Sequence, residues 1–293
     1  MNAKNTTGFF DKLKVYPQHI LPQHFLSAIM YRITRIRTSF IKNFIIKLII
    51  RLYRVEMQDA VITKGEDYAS FNHFFTRALK AESRPICTAP NTIACPVDGT
   101  VSQCGNIDNN LIFQAKGHNY SLQALLGDNV ISEAFKNGSF ATIYLSPRDY
   151  HRIHAPLNGK LKKMIHVPGK LFSVNEATTN HVPGLFARNE RVVSIFETEI
   201  GPMAVILVGA IFVSSIETVW AGTITPPGGK HIVSQNYDGK TFQLNKGDEL
   251  GRFNMGSTVI LLFPESAANW KQSMTAGSTV QMGEEIGQIL PGK

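Results

Sequence analysis

Apolar positions along this chain follow two rhythms. Between residues 24 and 55, HFLSAIMYRITRIRTSFIKNFIIKLIIRLYRV, they recur at helical spacing. At 100° per residue, Asn43, Lys47, Arg51 and Arg54 share one face, while Ile41, Ile45, Leu48, Ile49 and Leu52 cover the other. From about residue 93 the rhythm shortens to β-branched runs punctuated by Gly, Pro and Asn, which predicts strands. Examples are FATIYL (140–145), RVVSIFET (191–198), MAVILVGAIFV (203–213) and TVILLF (258–263). A short helix is predicted over 70–79, with Ser70 as N-cap and Pro85 and Pro90 beyond it, and a helical insertion around 121–135.

Two turns repeat. CPVDGTV (95–101) is echoed by APLNGKL (155–161), and KGDELG (246–251) by MGEEIG (282–287). These hairpins resemble those of lipoyl- and biotinyl-type sandwiches, although Asx-Gly favours tight turns for backbone reasons alone. The expected fold is α+β, a mainly-β barrel-sandwich core with an N-terminal amphipathic helical region. The expected division is 1–64 and 65–293.

Charge sharpens that division. Residues 1–64 hold eleven Lys/Arg against three acids, and the remaining 229 residues are neutral overall. No uncharged apolar run reaches the roughly 18 residues a bilayer span needs, and residues 1–16 lack a signal-peptide pattern. Cations flanking a wide apolar stripe suit a helix lying in a membrane surface with anionic lipids. The aliphatic load argues against nucleic acid. Cys87, Cys95 and Cys104 form no CxxC pair, which points to a reducing compartment.

The chemistry centres on Gly256-Ser257, which interrupts a core-like run, FNMGSTVILLF. A serine hydroxyl after a glycine carbonyl reaches it through a five-membered ring and turns the amide into an ester, given a base and oxyanion donors. Alone, the tripeptide reads as a β-bulge or a backbone contact in preference to a reactive site. YLSPRDYHRIHAP (144–156) adds two imidazoles, His151 and His154, bracketed by Pro147 and Pro156. No third ligand lies at zinc-like spacing, so acid–base work is expected of them rather than metal binding. Asp98 is a candidate to orient one imidazole, which would give Asp98, His154 and Ser257 as a relay.

PVDGTV, YLSPRDYHRIHAP, LFSVNEATTNHVPGLFARNERV (171–192) and MGST, in this order, resemble bacterial phosphatidylserine decarboxylase. That family's tripeptide is usually preceded by Leu, where Met255 stands here. The resemblance covers roughly residues 20–290 and also takes in FNHFFTRALK and the basic head. It implies self-cleavage between Gly256 and Ser257 into chains 1–256 and 257–293, which stay together as a heterodimer that pairs further as a homodimer. It assigns Asp98 and His154 to activating Ser257. Ser257 becomes a covalent pyruvoyl group and the Schiff-base site, without pyridoxal phosphate or metal, and His151 serves decarboxylation and protonation. The implied substrate is phosphatidylserine, and Phe172, Asn175 and Arg188 are candidate contacts. The 70–79 helix is expected near the site entrance, and the enzyme peripheral on the cytoplasmic face of the cell membrane.

Three alternatives stay open on sequence. They are a pyruvoyl enzyme of a soluble amino acid, a non-catalytic lipoyl-like membrane module, and a scaffold that no longer processes itself. The second lacks the flanked lysine such carriers need, and the third sits badly with all three self-processing positions being present.

Overall fold

The computed structural model describes residues 15–212, 215–226, 229–239 and 242–290. Strands dominate, and the largest sheet is antiparallel and nine-stranded. Its order runs Val233–Asn236, Gly159–Val167, Arg191–Thr198, Gly201–Val208, Thr258–Phe263, Ser139–Tyr144, Gly99–Asn106 and Thr279–Val280, with Gln243–Leu244 also on the second strand. A four-stranded sheet holds Gly222–Thr223, Ile216–Thr218, Glu249–Phe253 and Arg152–His154. A three-stranded sheet holds Thr92–Ala94, Glu285–Ile289 and Ala268–Trp270.

Thr258–Phe263 lies in the middle of the large sheet and is buried on both faces, which is why TVILLF has no polar alternation. Val259, Leu261 and Phe263 pack on one side with Ile153, Ile216, Phe253 and Ile286 from the smaller sheets. Ile260 and Leu262 face the other side, with Leu122, Leu126, Leu185 and Phe186 from helices. The large sheet is therefore covered on both faces. It is not the closed barrel that the turn repeats suggested, because its two end strands do not pair with each other. The repeated turns obey a local rule instead. Gly247 and Gly283 both adopt left-handed φ and both lie against Ile86, where a Cβ would collide.

The other expected elements appear with shifted ends. Ser70 caps Phe71–Phe75 by accepting the His73 N–H, but the helix stops at Phe75, well before the prolines. The insertion at 121–135 is two short helices, Leu122–Leu126 and Asn129–Glu133, split at left-handed Gly127 and restarted by the Asp128 cap. The strand expected over 203–213 ends at Val208, and Val213 lies outside the described residues, as do residues 1–14 of the stretch searched for a signal peptide.

The head forms two helices, Gln23–Ile33 and Ser39–Tyr53, rather than one continuous run. The break falls where β-branched Ile33, Thr34, Ile36 and Thr38 crowd together, and the Thr34 carbonyl accepts the Asn72 N–H. Ile46 is buried against Tyr68, Phe71, Phe74 and Phe75. Opposite this contact Phe40, Phe44, Leu48 and Leu52 form an exposed row four residues apart. No helix among the described residues is long and apolar enough to cross a membrane.

Candidate active site

The loop after Tyr144 is built by its own residues. Asp149 folds back so that one carboxylate oxygen accepts from both the N–H and the hydroxyl of Ser146, at 2.7 Å each. The segment after the Phe71–Phe75 helix holds this loop from outside. Arg77 Nη2 donates to the carbonyls of Arg148 (2.8 Å) and Asp149 (3.2 Å), and Arg152 Nε donates to the Thr76 carbonyl (3.0 Å). From the inside, Leu145 N–H donates to the Ser257 carbonyl (2.7 Å) and Phe253 N–H to the His151 carbonyl (3.0 Å). These bonds set residues 145–151 against residues 253–257.

The consequence is a close approach of His151 to the Gly256-Ser257 bond. A Cβ at Gly256 would stand 2.9 Å from His151 Cε1 and 3.1 Å from the Leu145 carbonyl oxygen. Glycine is required here by lack of space, not by strained φ, since Gly256 lies outside the left-handed region. Ser257 is fully buried, and its hydroxyl has no hydrogen-bond partner among the described residues. An orphaned buried hydroxyl is costly, and Ser257 shares this feature with Ser139, Thr142, Ser194 and Thr258, so its distinction is the glycine before it and the ring beside that glycine.

His151 is also fully buried and stacks on Phe75, with ring centroids 4.0 Å apart and planes 18° apart. The carbonyls of Ser146 and Pro147 approach its nitrogens without closing a hydrogen bond of good geometry. Burial, and then the Arg77 charge, hold His151 well below the usual imidazole pKa, so it is a neutral ring with one nitrogen bearing a proton and the other able to accept a hydrogen bond.

The relay expected from sequence is not assembled. His154 Nδ1 lies 2.7 Å from the Gly247 carbonyl, which only accepts, so Nδ1 carries the proton. Nε2 then accepts from the Tyr150 hydroxyl at 3.0 Å. Both nitrogens are thereby occupied, and neither bonds to Asp98 or Ser257. Asp98 is engaged elsewhere, by Arg84 and by the Met282 N–H. The physical reason is tertiary: the backbone bond from Phe253 sets His151 beside Gly256, while His154 sits opposite Glu249.

A cavity of about 480 Å³ opens at Gly256. Tyr53, Phe71, Phe75, Tyr144, Asn175 and Phe212 are among its lining residues, and apolar surface predominates. Of the three candidate contacts, only Asn175 lines it. Asn175 also caps the helix Glu176–His181 through the Thr178 N–H. Phe172 is buried with its ring tilted against that of His19, and its N–H and carbonyl are both bonded to the Asn189 side chain. Arg188 is exposed and lies outside the lining. The loop is seated by Arg191, a buried guanidinium that donates to the carbonyls of Ala124, Leu125, Ala187 and Asn189. Phe75, Arg77 and Tyr150 were not singled out from sequence, and the aromatic doublet of FNHFFTR was their available signal.

The two imidazoles imply an acid-sensitive fold. Both are lowered from 6.5, chiefly by burial, so the unfolded chain binds protons that the folded chain refuses. Their contribution is complete above about pH 6.5 and is lost as pH falls toward the folded-state values. Urea midpoints should hold between pH 8 and 7 and drop between pH 6.5 and 5.5. A midpoint constant over the lower interval contradicts neutral burial of these rings.

With this geometry in hand, comparison with known proteins becomes informative. The family profile described as phosphatidylserine decarboxylase matches residues 71–288, and a second, described as PSD, matches residues 13–54. A phosphatidylserine decarboxylase proenzyme of Hahella chejuensis is 51% identical over 284 residues, covering 97% of this chain and 96% of the relative. Proteins of the same name from Methylococcus capsulatus and Shewanella frigidimarina are 53% and 51% identical, covering 94% and 95% of this chain and 96% and 99% of theirs. Identity at this level, sustained from the helical head through the Gly256-Ser257 site, means that the chain belongs to the phosphatidylserine decarboxylase family.

Proposed function

We propose that the chain cuts itself between Gly256 and Ser257 and then decarboxylates phosphatidylserine to phosphatidylethanolamine. The observation that carries this reading is the buried, unpartnered Ser257 hydroxyl following a glycine that the His151 ring leaves no room to replace.

The steps follow from the chain's own groups. Ser257 Oγ attacks the Gly256 carbonyl carbon while a ring nitrogen of neutral His151 takes its proton. The Gly256–Ser257 C–N bond breaks, the nitrogen is protonated, and an ester joins Gly256 to Ser257 Oγ. Loss of the Ser257 Cα proton expels Gly256 as a carboxylate and leaves dehydroalanine, whose tautomer water hydrolyses to a ketone with release of ammonia. The strand Thr258–Phe263 fixes the new terminus, because it is paired on both sides.

The residues fit a pyruvoyl group at position 257, since the hydroxyl that leaves with the Gly256 carboxylate is buried there without a partner among the described residues and the cavity begins at Gly256. When present, that group supplies a ketone that takes up the substrate amine and accepts the electron pair left by departing CO₂. His151 is the acid–base group beside it, and Phe75 and Phe71 exclude water from the same wall. Asn175, which shares the lining with polar Gln18 and Ser173, is our candidate to meet the headgroup. His154 supports the loop through Tyr150 and does not act on Ser257. The mature form is a heterodimer of residues 1–256 and 257–293, and further pairing as a homodimer follows from family resemblance.

The exposed row Phe40, Phe44, Leu48 and Leu52 docks on the membrane, with Lys47 and Arg51 beside it to attract anionic lipid. Tyr53 and Ile49 of the same helix line the cavity, so a lipid substrate passes from the bilayer to Gly256 along one element. The test uses vesicles containing phosphatidylserine against free serine. Turnover is expected on vesicles alone, and turnover of free serine would favour the soluble-substrate alternative. Phe44→Ser with Leu48→Ser should weaken sedimentation with these vesicles by roughly tenfold or more, given about 25 cal/mol per Å² of apolar surface. Unchanged sedimentation removes the docking role of this face.

A further inference from the structure

The helix Gln23–Ile33 inverts the usual pattern of a helix packed on a core. Its two buried residues, Gln23 and Ser27, are polar, while Phe25 and Ile29 are exposed. Hydrogen bonds rather than apolar burial hold its inner face, and their partners are two loops of the cavity at Gly256.

Leu171, Phe172 and Ser173 belong to no strand, yet their three successive N–H groups all find side-chain amides. Leu171 N–H donates to Gln23 Oε1 at 2.7 Å, Phe172 N–H to Asn189 Oδ1 at 3.1 Å, and Ser173 N–H to Gln18 Oε1 at 2.8 Å. Gln18 Nε2 returns a bond to the Ser173 hydroxyl at 3.0 Å, and Gln23 Nε2 donates to the Gln18 carbonyl at 2.7 Å. The two glutamines therefore brace each other. One helical turn after Gln23, the Ser27 hydroxyl accepts the Phe212 N–H at 3.2 Å. Phe212 is a non-glycine residue at φ 65°, a conformation that persists only with support from its surroundings. Asn189 joins the two loops, since its Nδ2 donates to the Phe172 and Gly209 carbonyls.

Residues 173–175 and 210–212 line the cavity, as does Gln18, whereas Gln23 and Ser27 lie outside the lining. The Ser173 hydroxyl is 3.0 Å from Gln18 Nε2 and 3.4 Å from Asn175 Nδ2, so these three form one polar cluster in a mainly apolar lining. We propose that Gln23 and Ser27 are positioning residues for decarboxylation, which set the two loops so that Gln18, Ser173 and Asn175 receive the serine headgroup. This deepens the phosphatidylserine decarboxylase reading and rests on it. The role is confined to substrate handling, because the segment around the Gly256-Ser257 bond is held by other bonds, from Leu145 N–H to the Ser257 carbonyl and from Phe253 N–H to the His151 carbonyl.

Full-length parent, Gln23→Met, Ser27→Ala and Phe25→Ser are compared by denatured mass for cleavage. Their kinetics are measured on short-chain phosphatidylserine kept below its micelle concentration, which takes membrane binding out of the assay. All should be cut as fully as the parent. Gln23→Met leaves the Leu171 N–H and the Gln18 carbonyl without these partners and should raise KM about tenfold, and Ser27→Ala should raise it by less. Amide exchange should quicken at Leu171 in the first and at Phe212 in the second. Phe25→Ser, on the outer face of the same helix, should keep the parent's KM. Loss of folded enzyme lowers apparent kcat at unchanged KM, so KM separates positioning from stability. If Gln23→Met does not fold, Ser27→Ala still decides. The parent's KM in the folded variants overturns the proposal, and so does an equal rise in Phe25→Ser, which would make the effect one of helix stability. A folded Gln23→Met or Ser27→Ala that stays uncut also overturns it, by moving these residues to the cleavage step. A parent that turns over no phosphatidylserine instead removes the reading on which the proposal stands.

Discussion

Ser257→Ala stays a single chain, without cleavage and without decarboxylation. The loss is complete because no other hydroxyl can take its place: Thr258 points to the opposite face of the strand, whose side chains alternate. The same substitution should leave the fold intact. Ser257 is fully buried and its hydroxyl bonds to nothing among the described residues, so deleting the oxygen removes an unsatisfied group. Leaving such a group buried costs about 1–3 kcal/mol, so the variant should match or exceed the uncut parent in urea stability. Intact mass and a urea melt read the two halves of this prediction separately. A cleaved Ser257→Ala chain contradicts the assignment of the nucleophile. A stable but active one contradicts the chemistry altogether.

His151→Gln is the second large effect, and it separates two assignments. Family resemblance gives activation of Ser257 to His154, with His151 reserved for the substrate. Our proposal gives both tasks to His151, because its ring lies against Gly256 while both nitrogens of His154 are bonded elsewhere, although neither ring is hydrogen-bonded to the Ser257 hydroxyl. His151→Gln should therefore slow self-cleavage by about 10²–10⁴-fold, the usual worth of a positioned base. His154→Gln should cleave, with a smaller defect from the loosened Tyr150 contact. Time courses of fragment appearance after synthesis decide between them. Normal cleavage of His151→Gln together with an uncut His154→Gln would restore the relay and remove the base from His151.

Why sequence favoured the other histidine is instructive. His151 and His154 lie in one turn, and their spacing says nothing about which ring meets residue 257. That choice is made by bonds to distant segments, Phe253 N–H to the His151 carbonyl and Gly247 carbonyl to His154. Asp98 has a partner that sequence did not name for the same reason, since Arg84 is an ordinary-looking surface residue in sequence and is brought in by the turn around Ile86. What could be read was local or strongly patterned. TVILLF and RVVSIFET are strands with the expected ends, and Ser70 caps its helix through its own hydroxyl. The break between Gln23–Ile33 and Ser39–Tyr53 depended on a tertiary bond to Asn72 as much as on β-branched residues. Closure of the large sheet was over-read from turn chemistry, which specifies hairpins and not how a sheet ends.

Intact-mass analysis of the purified parent chain tests the central claim most directly. The account predicts two polypeptides, one ending at Gly256 and one beginning at residue 257 with a ketone in place of its amine, hence blocked to amine-directed sequencing. Active, homogeneous enzyme found as one unbroken polypeptide with an unmodified Ser257 would contradict it.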